Sequence, residues 1–473
     1  MTALSRGLIV DFRIESPMAK PRKGELVALE IEDVAFGGEG VARVDGYVIF
    51  VPGGLPGDRV QARLVQARPN FGRATIETID RPSPDRVEAP CPYFGRCGGC
   101  RLQHLAYPAQ LRFKEKQVRD GLERIGGLDP SCVRPIIGAP ELYGYRNKME
   151  FTIARDADGR PVVGLHETGR YDAILDTERC LLQSDLLNAI LAEVRTFIRE
   201  RRLSIYDQET GDGLLRFLML REGKTKGEAM VNVVTASAHF PLARELAAAL
   251  RERFPQIAAV VQNVNTQKAA VAVGQEEHLL AGRDTIQEIV AGLTFQISAN
   301  SFFQTNTQQA ERLFQLVLDL CELRGPETVF DLYSGTGAIT LLLAQRARAI
   351  YGIEVGSPAI EDAVRNARAN GIENVRFLQG EVRHVLPDLY RKGIRPDVVV
   401  ADPPRAGLHP KAVGSLATLG PQRIVYVSCN PSTLARDLAL LIERGYAVDV
   451  VQPIDMFPHT PHIEAAARLS RRG

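Results

Sequence analysis

The last third of the chain alternates between helical and strand-like segments, and this alternation constrains the fold more than any other feature. From Ala310 onward, short apolar runs are separated by longer amphipathic stretches. Strands that are separated by helices cannot pair through tight hairpins, so they align in parallel with helices on both faces of the sheet. The sequence therefore predicts a doubly wound α/β domain in residues 296–473.

Two other regions have different patterns. Residues 22–82 contain short alternating runs, two of them joined by Asp45-Gly46, and this predicts a small OB-like β-barrel. Residues 83–295 are dominated by strand patterns with two helical stretches, which predicts a central β-rich α+β domain. A chain of 473 residues is too long for one core, and we expect these three domains.

Composition excludes some classes of protein. The chain has 58 Lys and Arg against 57 Asp and Glu, a net charge of +1, so any surface for nucleic acid must be a local patch. It contains no apolar run of about eighteen residues, so we expect no membrane span. Residues 1–20 lack a sustained apolar segment, so we expect a cytoplasmic protein. We also expect a monomer.

A glycine-rich turn follows the buried-type strand at residues 328–332. Its sequence, Tyr-Ser-Gly-Thr-Gly at 333–337, lets the backbone approach a ligand closely. Such a turn also fits a dinucleotide site, but no third glycine follows at the dinucleotide spacing. The next apolar strand ends in Glu354, where a carboxylate can accept hydrogen bonds from ribose hydroxyls. The pattern favours a site for S-adenosylmethionine (SAM).

Two further strand ends indicate the chemistry. Asp402 is followed by two prolines, a pattern typical of SAM-dependent nucleic-acid methyltransferases, and their fixed φ angles make the loop rigid. Cys429 directly follows the apolar run at 424–427. A cysteine there is usually a small core residue. Beside a methyl donor, however, a thiolate can add to C6 of uracil and make C5 nucleophilic. The reaction also needs a base, for which Glu464, His459 and His462 are candidates.

Together these motifs resemble a known family. Residues 22–80 resemble a TRAM domain, a small RNA-binding barrel fused to RNA-modifying enzymes. From this barrel to residue 464, the chain resembles the RNA (uracil-5-)-methyltransferase family. The matching motifs lie at 301–306, 331–337, 402–407, 428–431 and 462–464. The resemblance implies that Cys429 is the nucleophile, that Glu464 is the base, and that Gln304, Tyr333, Glu354 and Asp402 contact SAM.

A cysteine cluster lies between the barrel and the central strands. Cys91, Cys97 and Cys100 share a short loop, and Cys180 is the best candidate for a fourth ligand, ahead of Cys132. Four thiolates suit either a 4Fe–4S cluster or Zn²⁺, and the spacing does not decide between them. The resemblance implies a 4Fe–4S cluster.

The expected function is SAM-dependent methylation of uridine C5 in RNA. The transfer-RNA enzymes of this family are typically shorter and lack both the TRAM barrel and the iron–sulfur cluster. The resemblance therefore implies 23S ribosomal RNA as the substrate. Alternatives are a transfer-RNA uridine methyltransferase, an RNA cytosine C5 methyltransferase, whose cysteines lie in other motifs, and a non-catalytic RNA-binding ribosome-assembly factor. Residues 145–148, Tyr-Arg-Asn-Lys, are a candidate RNA contact or a solvated strand start.

Overall fold

The computed structural model describes residues 20–268 and 271–472. The chain forms two compact units, one up to Val87 and the other spanning Glu88–Gly473. The expectation for residues 1–20 lies, except for Lys20, outside the described part. Within the described ranges, no helix has the length and apolar character needed to cross a membrane.

The first unit contains a six-stranded sheet in the order β1-β5-β6-β4-β3-β2. The hairpin turn predicted from Asp45-Gly46 joins β3 to β4, and both residues have positive φ angles, 49° and 81°. Register shifts along β5 and β6 bend this long pair. The strands are β1 (Leu26–Glu30), β2 (Asp33–Val34), β3 (Gly40–Val44), β4 (Tyr47–Val51), β5 (Arg59–Ala67) and β6 (Phe71–Arg81).

The second unit begins with a seven-stranded sheet in the order β13-β12-β11-β10-β7-β8-β9. All its pairs are antiparallel except β11 with β12. The strands are β7 (Lys148–Arg155), β8 (Pro161–His166), β9 (Ile174–Asp176), β10 (Leu215–Gly223), β11 (Glu228–Thr235), β12 (Ile257–Val264) and β13 (Glu276–Gly282), followed by the hairpin of β14 (Thr285–Val290) and β15 (Leu293–Ser298).

A second seven-stranded sheet has the order β18-β17-β16-β19-β20-β22-β21. Pairs among the first five strands are parallel, as the alternating pattern predicts, and β22 lies antiparallel between β20 and β21. The strands are β16 (Thr328–Leu332), β17 (Ala349–Glu354), β18 (Val375–Gln379), β19 (Val398–Ala401), β20 (Arg423–Ser428), β21 (Tyr446–Ile454) and β22 (Glu464–Arg471).

Helices cover both faces of this last sheet, which confirms the doubly wound α/β class. The first helix, α1, lies before the central strands in sequence, yet its Val118 and Leu122 share a core with Leu434 of α9. The helices are α1 (Tyr107–Arg124), α2 (Asp185–Glu200), α3 (Ala243–Arg253), α4 (Thr307–Cys321), α5 (Ala338–Ala344), α6 (Ser357–Ala369), α7 (Val382–Arg391), α8 (Pro410–Leu419) and α9 (Pro431–Ile442), with a 3-10 turn at Pro130–Cys132.

Candidate active site

The glycine-rich turn leaves β16 in an unusual backbone conformation. Tyr333 has a φ of 66°, in the left-handed region, and its N–H donates to the Ile353 carbonyl at 2.8 Å. Gly337, with a φ of 85°, caps α5. A Cβ added there would lie 3.2 Å from the Ala363 side chain and from the Phe377 ring. The glycine is therefore needed both for its φ and for the close packing of this turn.

Glu354 ends β17 beside that turn. One carboxylate oxygen accepts from the Gly335 N–H at 3.1 Å, and the other accepts from the N–H groups of Val355 and Gly356, both at 2.8 Å. Three backbone N–H groups thus fix the Glu354 carboxylate, which the sequence pattern predicts at the end of this strand. Its oxygens retain further lone pairs for a ligand.

The Asp-Pro-Pro loop follows β19 and is held from behind. The Asp437 carboxylate accepts from the Leu408 N–H at 2.7 Å and from the Tyr426 hydroxyl at 2.6 Å. Gly407 has a φ of 77°, and a Cβ at this position would collide with that carboxylate. Burial raises the pKa of Asp402 to about 6. Both the two prolines and the hydrogen bond to Asp437 therefore make the loop rigid.

Cys429 stands between β20 and α9, half-buried. The next residue, Asn430, caps α9 by accepting from the Ser432 N–H at 3.0 Å, and its amide donates to the Arg405 carbonyl at 3.2 Å. The cysteine is therefore tied to the Asp-Pro-Pro loop. Burial raises the pKa of the Cys429 thiol, the Glu464 carboxylate raises it further, and the Arg405 guanidinium opposes both.

Glu464 is the first residue of β22, and its side chain is buried. Burial raises the pKa of this carboxyl well above its ordinary value, nearby Asp402 adds to the effect, and Arg405 reduces it. Because β22 lies next to β20, Glu464 comes close to Cys429 in space. This strand order brings together two residues that are separated along the chain by α9 and β21.

The two histidines in this segment have different surroundings. His462 faces the same space as Cys429, and its Nδ1 lies 3.5 Å from the Arg405 guanidinium. Burial and that guanidinium lower its pKa to about 4. The His459 ring instead stacks on Tyr143, with ring centres 4.4 Å apart, and does not line that space.

One cavity of about 720 Å³ is lined by all six residues that the resemblance implies for SAM binding and catalysis. Sequence reasoning gave no site role to four phenylalanines of its wall, Phe302, Phe303, Phe314 and Phe457. Phe302 is 64% exposed although it is large and apolar. Its position inside the family motif at 301–306 could have indicated a role in the site. The predicted residues that line the cavity are Gln304, Tyr333, Glu354, Asp402, Cys429 and Glu464.

A second cavity, of about 290 Å³, is lined by Cys91, Cys97, Cys100 and Cys180. Burial raises the pKa of the Cys97, Cys100 and Cys180 thiols, that of Cys100 to about 12. Cys132 lies elsewhere and donates its S–H to the Asp129 carbonyl. Within residues 20–268 and 271–472, no three His, Cys, Asp or Glu side chains form a group that could hold a metal ion.

The two cavities share part of their walls. Arg146 and Thr305 line both. The Arg146 guanidinium lies 5.8 Å from the centre of the Phe457 ring. Its Nε is buried and has no hydrogen-bond partner among the described residues.

The parallel sheet, the glycine turn and the acid that ends the next strand define a SAM-dependent methyltransferase. The chain belongs to the tRNA (uracil-5-)-methyltransferase family, whose profile matches residues 229–472, and residues 21–76 match the TRAM domain. It is therefore an RNA methyltransferase, which confirms the resemblance at this level and sets aside the non-catalytic alternative.

Relatives match nearly the whole chain. An uncharacterized RNA methyltransferase of Halalkalibacterium halodurans is 42% identical over 95% of this chain and 98% of its own length. One of Gloeobacter violaceus is 43% identical over 95% and 97%. Among solved structures, the Pyrococcus abyssi tRNA (uracil-54, C5)-methyltransferase in complex with S-adenosyl-L-homocysteine is 32% identical, with a TM-score of 0.75 over 93% of this chain and 99% of that one.

Proposed function

We propose that the protein methylates C5 of uridine in RNA through covalent addition of Cys429 to C6 of the base. One observation carries the proposal: the thiol and the buried Glu464 carboxyl line the same cavity as the glycine turn and Glu354. A methyl donor bound at the turn and a pyrimidine beside the thiol would therefore occupy one space. Methyl transfer to oxygen or nitrogen would need no such thiol.

Four residues are proposed to hold SAM. Glu354, fixed by three backbone N–H groups, would accept from the ribose hydroxyls. Tyr333 and Gln304 would line the sides of the donor, and Asp402 would lie near its charged end. A sulfonium beside Asp402 would favour the ionised carboxylate over the protonated one.

The chemistry runs in three steps. The Cys429 thiolate adds to C6, which breaks the C5–C6 double bond and leaves C5 as an enolate carbon. C5 then takes the methyl group of SAM, and S-adenosylhomocysteine leaves. Glu464 removes the C5 proton, and the electron pair restores the double bond and expels the Cys429 thiolate. The products are 5-methyluridine, S-adenosylhomocysteine and one proton.

The surroundings of both acting groups disfavour their charged forms. Burial raises the pKa of Cys429 and of Glu464, and Arg405 is the cation that lowers both. Arg405 is therefore proposed to favour the thiolate. His462, neutral because its pKa is lowered to about 4, can accept a hydrogen bond in the same cavity.

The target base must leave its stack to reach Cys429, because the thiol is half-buried within the cavity. Phe302, exposed on the cavity wall, offers a face on which a base can stack. Arg146 offers a guanidinium to the RNA, in line with the candidate contact at 145–148.

A 4Fe–4S cluster is proposed at the second cavity, held by Cys91, Cys97, Cys100 and Cys180. A cluster takes one thiolate at each of its irons, so its ligands surround a space rather than a point. Four thiols around a cavity of about 290 Å³ fit that requirement. The cluster would supply cross-links between the loop of the first three cysteines and the segment of Cys180.

The proposed substrate is 23S ribosomal RNA, with the enzyme acting as a cytoplasmic monomer. A transfer RNA is the second candidate, and one observation favours it. The 32% identical archaeal enzyme, named for uracil 54 of tRNA, covers 93% of this chain. The length of the chain therefore does not distinguish an enzyme for ribosomal RNA from one for transfer RNA.

The test is mass-spectrometric mapping of 5-methyluridine in RNA from a strain that lacks the gene. We expect one or more 23S positions to lose the methyl group and to regain it with the wild-type gene but not with Cys429→Ala. Loss in transfer RNA alone would establish the second candidate. Unchanged 5-methyluridine in both RNAs, with no activity of the pure protein on either, would refute the proposal.

A further inference from the structure

The loop at residues 455–463, here called the C-terminal loop, connects β21 to β22 and places two side chains in the active-site cavity. These are Phe457 and His462, and Glu464 follows directly. The loop is not held by its own β-sheet alone. Its backbone is bonded to α1 and to the segment at 91–102, here called the cysteine loop.

His459 is the point where the cysteine loop meets the C-terminal loop. Its carbonyl accepts from the N–H groups of Arg101 and Leu102, both at 3.0 Å, and these residues directly follow Cys100. Its φ is 66°, a left-handed conformation that is costly for a residue with a side chain. Surrounding contacts must therefore hold this residue in place.

Gln110 of α1 supplies those contacts from a fully buried position. Its side-chain oxygen accepts from the His459 N–H at 2.9 Å, and its amide nitrogen lies 3.2 Å from Nδ1 of the same residue. The same nitrogen donates to the carbonyls of Leu102 at 3.0 Å and Leu105 at 2.8 Å. One side chain therefore joins the end of the cysteine loop to the C-terminal loop.

One turn further along α1, a buried ion pair holds the beginning of the C-terminal loop. Lys114 Nζ donates to the Asp455 carboxylate at 2.6 Å and to the Phe457 carbonyl at 3.1 Å. The Phe457 N–H donates to that carboxylate at 3.1 Å, and the Tyr107 hydroxyl donates to it at 3.0 Å. Buried groups of α1 thus hold this part of the loop, together with Asn306 and Gln309, whose amides donate to the carbonyls of Met456 and Asp455.

We propose that Gln110 is a positioning residue that couples the cysteine loop to the C-terminal loop, so that the order of the cysteine loop sets the placement of Glu464 for proton removal. The inference rests on the proposed function of Glu464. It gives the cysteine cavity a role in catalysis that requires no electron transfer. Misplacement of a reacting group by about 1 Å, from a change outside the site, can lower a rate by about 10²-fold.

The first test is Gln110→Met, which keeps the length of the side chain and removes its polar atoms. We expect kcat for uridine methylation to fall by about tenfold or more. KM for SAM should stay within about twofold, because the glycine turn does not contact this network. The covalent protein–RNA intermediate should accumulate, since its release depends on Glu464. Glu123→Met, exposed on the same helix, is the matched control.

The second test is a double-mutant cycle with Cys100→Ser. If both residues act through one coupling, the double variant should lose little more kcat than the more damaging single variant. Fully multiplicative losses would overturn the proposal. An equal fall in kcat with no accumulated intermediate would also overturn it.

Hydrogen exchange of the C-terminal loop gives a readout that does not depend on the reaction. We expect faster exchange at 455–463 in Gln110→Met and in Cys100→Ser, with unchanged exchange at 328–340. Should Gln110→Met not fold, Tyr107→Phe, which removes one bond to Asp455, should show the same change at smaller amplitude. Unchanged loop exchange in the folded variants would refute the coupling even if uridine methylation is established.

Discussion

The two cavities of the second unit are built in opposite ways. The active-site cavity is formed mainly at the carboxyl ends of parallel strands, where short contiguous motifs supply its walls. The cysteine cavity is lined by the thiols of the cysteine loop and by Cys180, which follows α1 and three strands in the sequence. The first is therefore fixed by the sheet, whereas the second depends on contacts between distant segments.

The two cavities should therefore respond differently to the loss of a single side chain. Loss of one side chain in the active-site cavity should remove a chemical step and leave the sheet intact. Loss of one thiol in the cysteine cavity should loosen the loop and reach the chemistry only through shared elements. Arg146, Thr305 and the C-terminal loop are those elements.

The largest expected effect is that of Cys429→Ala. Methyl transfer to RNA should fall by at least about 10³-fold, because addition of the Cys429 thiolate to C6 is the step that makes C5 nucleophilic. SAM affinity, measured by calorimetry, should stay within a few fold, since the thiol acts on the base. Cys132→Ala, outside both cavities, is the control. Turnover near the wild-type value would remove the nucleophile from the active-site cavity.

Glu464→Gln should lower turnover by about 10²-fold or more and trap the enzyme on RNA. The adduct forms before the C5 proton leaves, so its release is the step that slows. A denaturing gel should show a slowly migrating protein–RNA band. If the band is absent and turnover is normal, His462, which lines the cavity, becomes the candidate base; His459 would not, because its ring faces Tyr143.

Serine at Cys91, Cys97, Cys100 or Cys180 should cost iron content while SAM binding persists. Protein purified anaerobically should be brown and contain about four irons per chain if the cavity holds a 4Fe–4S cluster. Cys132→Ser should keep all its iron. Stoichiometric zinc without iron after anaerobic handling, or a requirement for Cys132 instead of Cys180, would contradict the ligand assignment.

Arg405→Met should give the smallest change, a shift in pH dependence. Cys429 and Glu464 both act deprotonated and both have raised pKa values, so single-turnover rates should rise with pH. Removing the cation that lowers both pKa values should move the profile to higher pH by about one unit. A profile that stays in place would mean that Arg405 does not favour the thiolate.

Much of the active-site cavity could be predicted because its residues sit at strand ends. Parallel strands bring their carboxyl ends to one edge, so Tyr333, Glu354, Asp402 and Cys429 had to lie near each other. Glu464 could be placed only by resemblance. Its closeness to Cys429 depends on the insertion of β22 between β20 and β21, and strand order within a sheet leaves no local pattern.

The contacts of the C-terminal loop could not be predicted. Lys114 reads as one more basic residue of an amphipathic helix, yet it is buried against Asp455, 341 positions away. A buried charge requires a partner, but the sequence does not say which one. For Gln110, likewise, the sequence does not indicate which groups its side chain bonds to.

Covalent trapping can show whether Cys429 forms a bond to the base. The wild-type enzyme would be incubated with SAM and RNA containing 5-fluorouridine, whose C5 carries no proton for Glu464 to remove. After digestion, mass spectrometry should find a methylated fluorouridine nucleotide attached to the peptide that contains Cys429. Attachment at another cysteine, or no attachment while ordinary uridine is methylated, would show that Cys429 is not the nucleophile.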